Sequence, residues 1–143
     1  MQVAQILKVK GDMVFTVRPE ESVGAAAALL HSRRVGALVV MGEGGDVAGI
    51  LSERDVVSIA ATEGVRALER PVSICMTQKV EFADPGDSVD ALLARMTDRR
   101  IRHLPVCEGG RMVGIVSIGD LVKWKIAETL AEAEGLKAYI AAG

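Results

Sequence analysis

Serine followed three residues later by aspartate occurs twice in the same kind of setting: Ser52-Glu53-Arg54-Asp55 and Ser117-Ile118-Gly119-Asp120. Each follows a Gly-apolar-apolar run, Gly49-Ile50-Leu51 and Gly114-Ile115-Val116. That order predicts a buried strand running into a helix. At such a junction the serine hydroxyl accepts from a first-turn amide, and the carboxylate suits the positive helix end. An ionised aspartate at a strand end can also accept from both hydroxyls of a ribose, and the free amides of a helix start attract an anion. Capping alone explains one copy; two equivalent copies in equivalent settings shift the reading toward a site built on Asp55 and Asp120. Gly119 leaves the approach to the second copy bare, where the first carries Arg54.

Arg99, Arg100, Arg102 and His103 form a local basic cluster in a chain of net charge −2. Arg99 suits a helix C-terminus. Arg102 and His103 stand just before an apolar strand, and a guanidinium makes forked contacts to phosphate. The corresponding positions of the first copy are Gly36 and Ala37, with Val39 in place of Pro105, so the two copies are not expected to bind alike. Arg54 either compensates as a cation or is a surface arginine.

The elements that must hold these groups read in order. Val3 to Val9 is a short helix and Val14 to Val17 a short strand. Ser22 caps a helix through Ser32, with Val23, Ala26, Ala27 and Leu30 inward. Ala37 to Met41 and Val47 to Leu51 are strands joined by a Gly-rich turn. Ser52 opens a helix to Glu63, and Val65 to Arg70 reads as a weakly ordered connector. Pro71 starts a single helical turn through Met76. The pattern then recurs, with a strand at Val80 to Ala83 and a Ser88-capped helix through Arg99. Strands follow at His103 to Val106 and Met112 to Val116, and a long helix from Ser117 toward Ala142. Pro19, Ser22 and Val23 align with Pro85, Ser88 and Val89 at an offset of 66 residues, an internal repeat. The expected fold is α/β, two β-α-β-β-α units packed with pseudo-twofold symmetry, divided as residues 1–70 and 71–143.

Composition narrows the function classes. Half of the 143 residues are apolar and only 3% aromatic, so the core must be Val, Ile, Leu, Ala and Met. A near-neutral charge gives no global electrostatic case for nucleic acid. Cys75 and Cys107 are far apart and suggest buried free thiols rather than a disulfide or zinc site. No apolar run approaches the roughly 18 residues of a membrane span, and the N-terminus lacks the regions of a signal peptide. The expectation is a cytoplasmic protein without a metal. There is no nucleophile-base pair and no P-loop, so an enzyme is not expected.

The chain resembles a tandem pair of cystathionine-β-synthase (CBS) domains, a regulatory module that binds adenosyl nucleotides. The resemblance rests on Met76-Thr77, on Arg100-Ile101-Arg102-His103-Leu104-Pro105-Val106 and on Gly114 to Asp120. In the first unit it rests on Gly36-Ala37-Leu38-Val39-Val40 and Gly49 to Asp55. It covers almost the whole chain, leaves no room for an attached enzyme domain, and is nearest to small stand-alone proteins of the family. It implies that Asp120 holds the ribose, that Ser117 and the bare Gly119 face the phosphate, and that Arg102 and His103 act on the same phosphate. Pro105 and Thr77 join that set, and Ser52, Arg54 and Asp55 serve the first unit.

The implied function is a regulatory module that binds an adenine nucleotide in a cleft between the units, AMP first, with ADP, ATP, NAD(H) and S-adenosylmethionine open. It would signal to an unidentified protein target or through a homodimer. On the last helix Val122, Ile126, Leu130, Ala133 and Leu136 form a helical stripe whose distal part has no core left to cover. The alternatives are a dimerisation adaptor, a DNA-associated regulator using Arg99 to Arg102, and a nucleotide-processing enzyme.

Overall fold

Apolar runs rich in Val, Ile and Leu make the strands, with Gly49, Pro105 and Gly114 inside them, and Ser22, Ser52 and Ser88 cap three of the helices. In the computed structural model, which describes residues 1–142, the order is α1 (Val3–Lys10), β1 (Thr16–Val17), α2 (Val23–Arg33), β2 (Ala37–Met41), β3 (Val47–Ser52), α3 (Glu53–Glu63), α4 (Val89–Arg99), β4 (His103–Glu108), β5 (Arg111–Ser117) and α5 (Ile118–Ala142). The chain forms two compact units, residues 14–81 and residues 1–13 with 82 onward.

In the unit of residues 14–81, β1 lies parallel to β2, and β2 pairs antiparallel with β3 so that Ala37 faces Ser52. Val17, Ala26, Leu30, Leu38, Val40, Leu51 and Val72 make its main core. Ser22 starts α2 by accepting from the Ala25 amide at 3.1 Å. The stretch expected as a weakly ordered connector is a 3-10 turn over Gly64–Glu69 with Ala67 fully buried. Pro71 is extended and precedes the next 3-10 turn, Val72–Ile74, rather than starting it.

In the other unit, β4 and β5 pair antiparallel, with His103 opposite Ser117. Val89, Leu92, Met96, Leu104, Val106, Val116 and Leu121 form the core. Val80 to Ala83 is not a strand: Ala83 alone bridges to Val106, its amide 2.9 Å from the Pro105 carbonyl. The reason is chemical. In the first unit the Val39 amide donates to Phe15 at 3.1 Å, but the residue that repeats Val39 is Pro105, which has no N–H to give.

The packing does not follow the division expected at residue 70. Val3 and Ile6 of α1 are fully buried in the core of the second repeat, each worth about 1.5–3 kcal/mol of burial. The Val3 amide donates to Asp87 at 3.0 Å, while the Val72 amide donates to Glu21 at 2.8 Å. Residues 1–13 therefore complete the second repeat, and residues 70–81 complete the first in the same way. Each repeat is closed by the segment that precedes the other one in sequence.

The stripe expected on the last helix is also displaced. Ile118, Leu121 and Trp124 are the α5 residues that meet the core. Val122, Ile126, Leu130, Leu136 and Ile140 are exposed, so the helix carries a second apolar face from its first turns onward.

Candidate functional site

Both Ser-x-x-Asp motifs are strand-to-helix junctions. Ser52 N donates to Asp55 Oδ2 at 2.9 Å and Asp55 N donates to Ser52 Oγ at 3.3 Å. Ser117 N donates to Asp120 Oδ2 at 2.9 Å and Asp120 N to Ser117 Oγ at 3.1 Å. The reciprocal bonds satisfy two amides at each junction and fix the carboxylate on the first helical turn. Among the described residues Oδ1 of neither aspartate has a protein partner in these bonds, and both side chains are half-buried.

The second unit gathers several of the expected residues at one end of its β4–β5 pair. His103 faces Ser117 across the strands, and the Ile118 amide donates to the Arg102 carbonyl at 2.8 Å. Arg102 is exposed and His103 half-buried. Gly119 is exposed, and a Cβ added there would meet only Ser117 Oγ, at 3.6 Å. Packing and backbone conformation therefore do not require glycine at this position; its bareness leaves the junction open. Pro105 lies two residues farther along β4, buried and opposite Ile115, where its effect is on strand pairing.

Thr77 belongs to the other unit. It bridges Ile50 on β3, its amide donating to the Ile50 carbonyl at 2.8 Å and its carbonyl accepting from Ile50 at 3.0 Å. It stands two residues before Ser52 in register, with Asp55 rather than Asp120. In that unit Gly36 takes the place of Arg102, its carbonyl accepting from Glu53 at 3.0 Å. Arg54 is exposed on the first turn of α3.

One residue was missed from the sequence. Lys10, in the last turn of α1, places Nζ 2.6 Å from Asp120 Oδ2 and 2.9 Å from the Ile115 carbonyl. The Ile115 carbonyl repeats that of Ile50, so a lysine side chain here takes the acceptor that the Thr77 amide takes in the first unit. Burial raises the Asp120 carboxyl, but the Lys10 hydrogen bond, the Ser117 amide and the Lys10 charge outweigh it and hold the group below its ordinary 3.8. The only signal in the sequence was a lysine at a helix end, which by itself says capping.

Both thiols are half-buried rather than fully buried. Burial raises Cys75, helped by the negative charge of Asp55, and burial raises Cys107. No group of three or more metal-ligating side chains occurs among the described residues. No helix among them is long and apolar enough to cross a membrane.

Comparison with known proteins decides the family. The CBS domain model matches residues 9–62 and again 71–127. The chain belongs to the CBS-domain family. Its two CBS units match a crystal structure of a CBS-domain protein from Agrobacterium tumefaciens at 44% identity and TM-score 0.83, over 85% of this chain and 91% of that one. The mitochondrial CBS domain-containing protein CBSX3 of Arabidopsis thaliana is 37% identical over 128 residues. That match takes in 87% of this chain and 62% of the relative, so the chain spans less than two thirds of that protein's length. The CBS pair of the protein MJ0100, crystallised with 5′-methylthioadenosine and S-adenosyl-L-methionine, matches at 25% identity and TM-score 0.76, over 87% of this chain and 98% of that one.

Proposed function

We propose that this CBS pair is a regulatory module that binds an adenosyl ligand at its strand-to-helix junctions, with AMP preferred at the junction of Asp120. The observation that carries the reading is the Ser117–Asp120 junction. It has a partly exposed carboxylate for ribose, Arg102 and His103 at the same strand end for phosphate, and no side chain at Gly119. The adenosyl ligands in the MJ0100 crystals support the ligand class. Arg102 is missing from the Asp55 junction, where Gly36 stands, so that junction is the weaker phosphate binder. Pro105 and Thr77 serve as supports of the strands rather than as direct contacts.

The proposed output is regulatory: ligand occupancy changes a homodimer or a protein target in the cytoplasm, and the nucleotide is returned unchanged. Mass spectrometry of small molecules released from the purified protein, followed by calorimetry with AMP, tests it. An adenosyl compound recovered intact, with affinity lost in Asp120→Ala, is the expected result. Turnover of the nucleotide would make it an enzyme instead. A second reading, an adaptor without ligand, is favoured by the exposed apolar face of α5. It replaces the first if no adenosyl compound binds at millimolar concentration.

A further inference from the structure

The two junctions have the same backbone and different charge. Asp120 pairs with Lys10 at 2.6 Å, and both side chains keep about a third of their surface open, 35% for Lys10 and 27% for Asp120. Asp55 has no cation within ion-pair distance among the described residues; its Oδ2 takes the amide and the hydroxyl of Ser52 instead. Lys79, which follows Val72 as Lys10 follows Val3, is exposed and makes no comparable bond among the described residues.

An ammonium has three N–H groups. Lys10 spends two, on Asp120 Oδ2 and on the Ile115 carbonyl. The bond to a backbone carbonyl of β5 fixes the ammonium where it is, so it is anchored and not a wandering surface charge. One N–H remains for a ligand oxygen, and both side chains of the pair stay partly open to solvent. Without Lys10 the carboxylate would present a full negative charge to whatever enters, which repels a phosphate. With it the pair is neutral, and the exposed Arg102 at the same strand end leaves the junction positive.

We propose that Lys10 is a specificity-determining residue of the Asp120 site: it selects phosphate-bearing adenosyl ligands there, while the unpaired Asp55 site favours neutral or cationic ones such as a sulfonium. The inference rests on the adenosyl-binding reading above. It also makes α1 part of a binding site, so that the N-terminal helix is held in place by the same ammonium that meets the ligand.

Calorimetry on the full chain carrying Asp55→Ala, which silences the first junction, tests this with AMP and S-adenosylmethionine as probes. Adding Lys10→Met is expected to weaken AMP about tenfold or more, the scale of one charge-assisted contact, while S-adenosylmethionine binds as before or tighter. Lys10→Arg should restore AMP. If Lys10→Met impairs folding in the absence of ligand, Lys10→Gln, which keeps donors without charge, carries the same expectation. An equal change for both probes, or no change, overturns the proposal and leaves Lys10 as a fastening of α1. Asp120→Ala in the same background separates the two levels. If it abolishes binding while Lys10→Met leaves both probes unaffected, the site stands and the role of Lys10 falls. If the unsubstituted chain binds neither probe, both fall.

Discussion

Leu7 of α1 rests directly on Gly114 of β5: a Cβ added to Gly114 would stand 2.7 Å from Leu7 Cδ2. The repeat of this contact lies in the other unit, where a Cβ on Gly49 would stand 2.7 Å from the Thr77 carbonyl oxygen and 2.8 Å from Met76 Sδ. In both units a glycine strand lets the swapped segment approach until it touches the sheet. The obstacle differs. At Gly114 it is the free end of a side chain, and at Gly49 it includes a backbone oxygen that is itself hydrogen-bonded to Ile50.

Gly49→Ala is therefore expected to cost more stability than Gly114→Ala. A leucine methyl can rotate away, whereas the Thr77 carbonyl can move only by breaking its bond to Ile50. Overpacking of this kind costs about 1–3 kcal/mol, with Gly114→Ala at the low end and Gly49→Ala at the high end. Urea denaturation of the two variants measures the difference; equal losses would mean that both segments shift as rigid pieces.

Asp120 gives the fold an acid dependence. Its carboxyl is held lower in the folded chain than its ordinary 3.8, so the unfolded chain takes up its proton first on acidification. Its stabilising contribution is complete above the ordinary value and is lost as pH falls through the lower folded one. Asp120→Asn should lower the melting temperature at neutral pH and flatten the decline below about pH 3.8 relative to the unsubstituted chain. Melting curves across that range check both. Parallel curves for the two proteins would show that the Lys10 pair adds nothing to the fold.

AMP should stabilise the protein more than adenosine does. At a hundredfold excess over its dissociation constant a ligand of the folded state adds about 2.7 kcal/mol, a melting shift on the order of 5–10 °C for a chain of this length. Arg102→Ala should reduce the AMP shift toward the adenosine one, since in the proposed site its guanidinium would meet only the phosphate. Thermal shift measurements on both proteins decide it. Equal shifts for AMP and adenosine on the unsubstituted chain would turn the basic pair away from the ligand.

The exposed face of α5 should hold two copies together. Ile126 and Leu130 are 56% and 60% exposed in the single chain, and burying them against a partner helix would remove that apolar surface from water. Light scattering is expected to give a dimer for the unsubstituted chain and a monomer for Ile126→Glu with Leu130→Glu. A dimer that survives both charges would place the interface elsewhere.

Local patterns placed most of the elements and the repeat. Ser22, Ser52, Ser88 and Ser117 each announced a helix start, because a cap is a local bond between a hydroxyl and an amide three residues on. Continuous apolar runs and the Gly-rich turns located β2, β3, β4 and β5, and the spacing of Ser and Asp located both junctions. Which segment closes which unit is settled only by long-range packing. Val3 and Ile6 read equally well as the core face of either repeat, since periodicity tells which face is buried and not against what. The missing strand before Pro85 depended on a partner amide that Pro105 lacks, a fact about pairing across more than twenty residues. Lys10 is the clearest case. Its pairing with Asp120 joins residues 110 positions apart, and an ion pair leaves no trace in local sequence when the charges that make it meet only after the chain has folded.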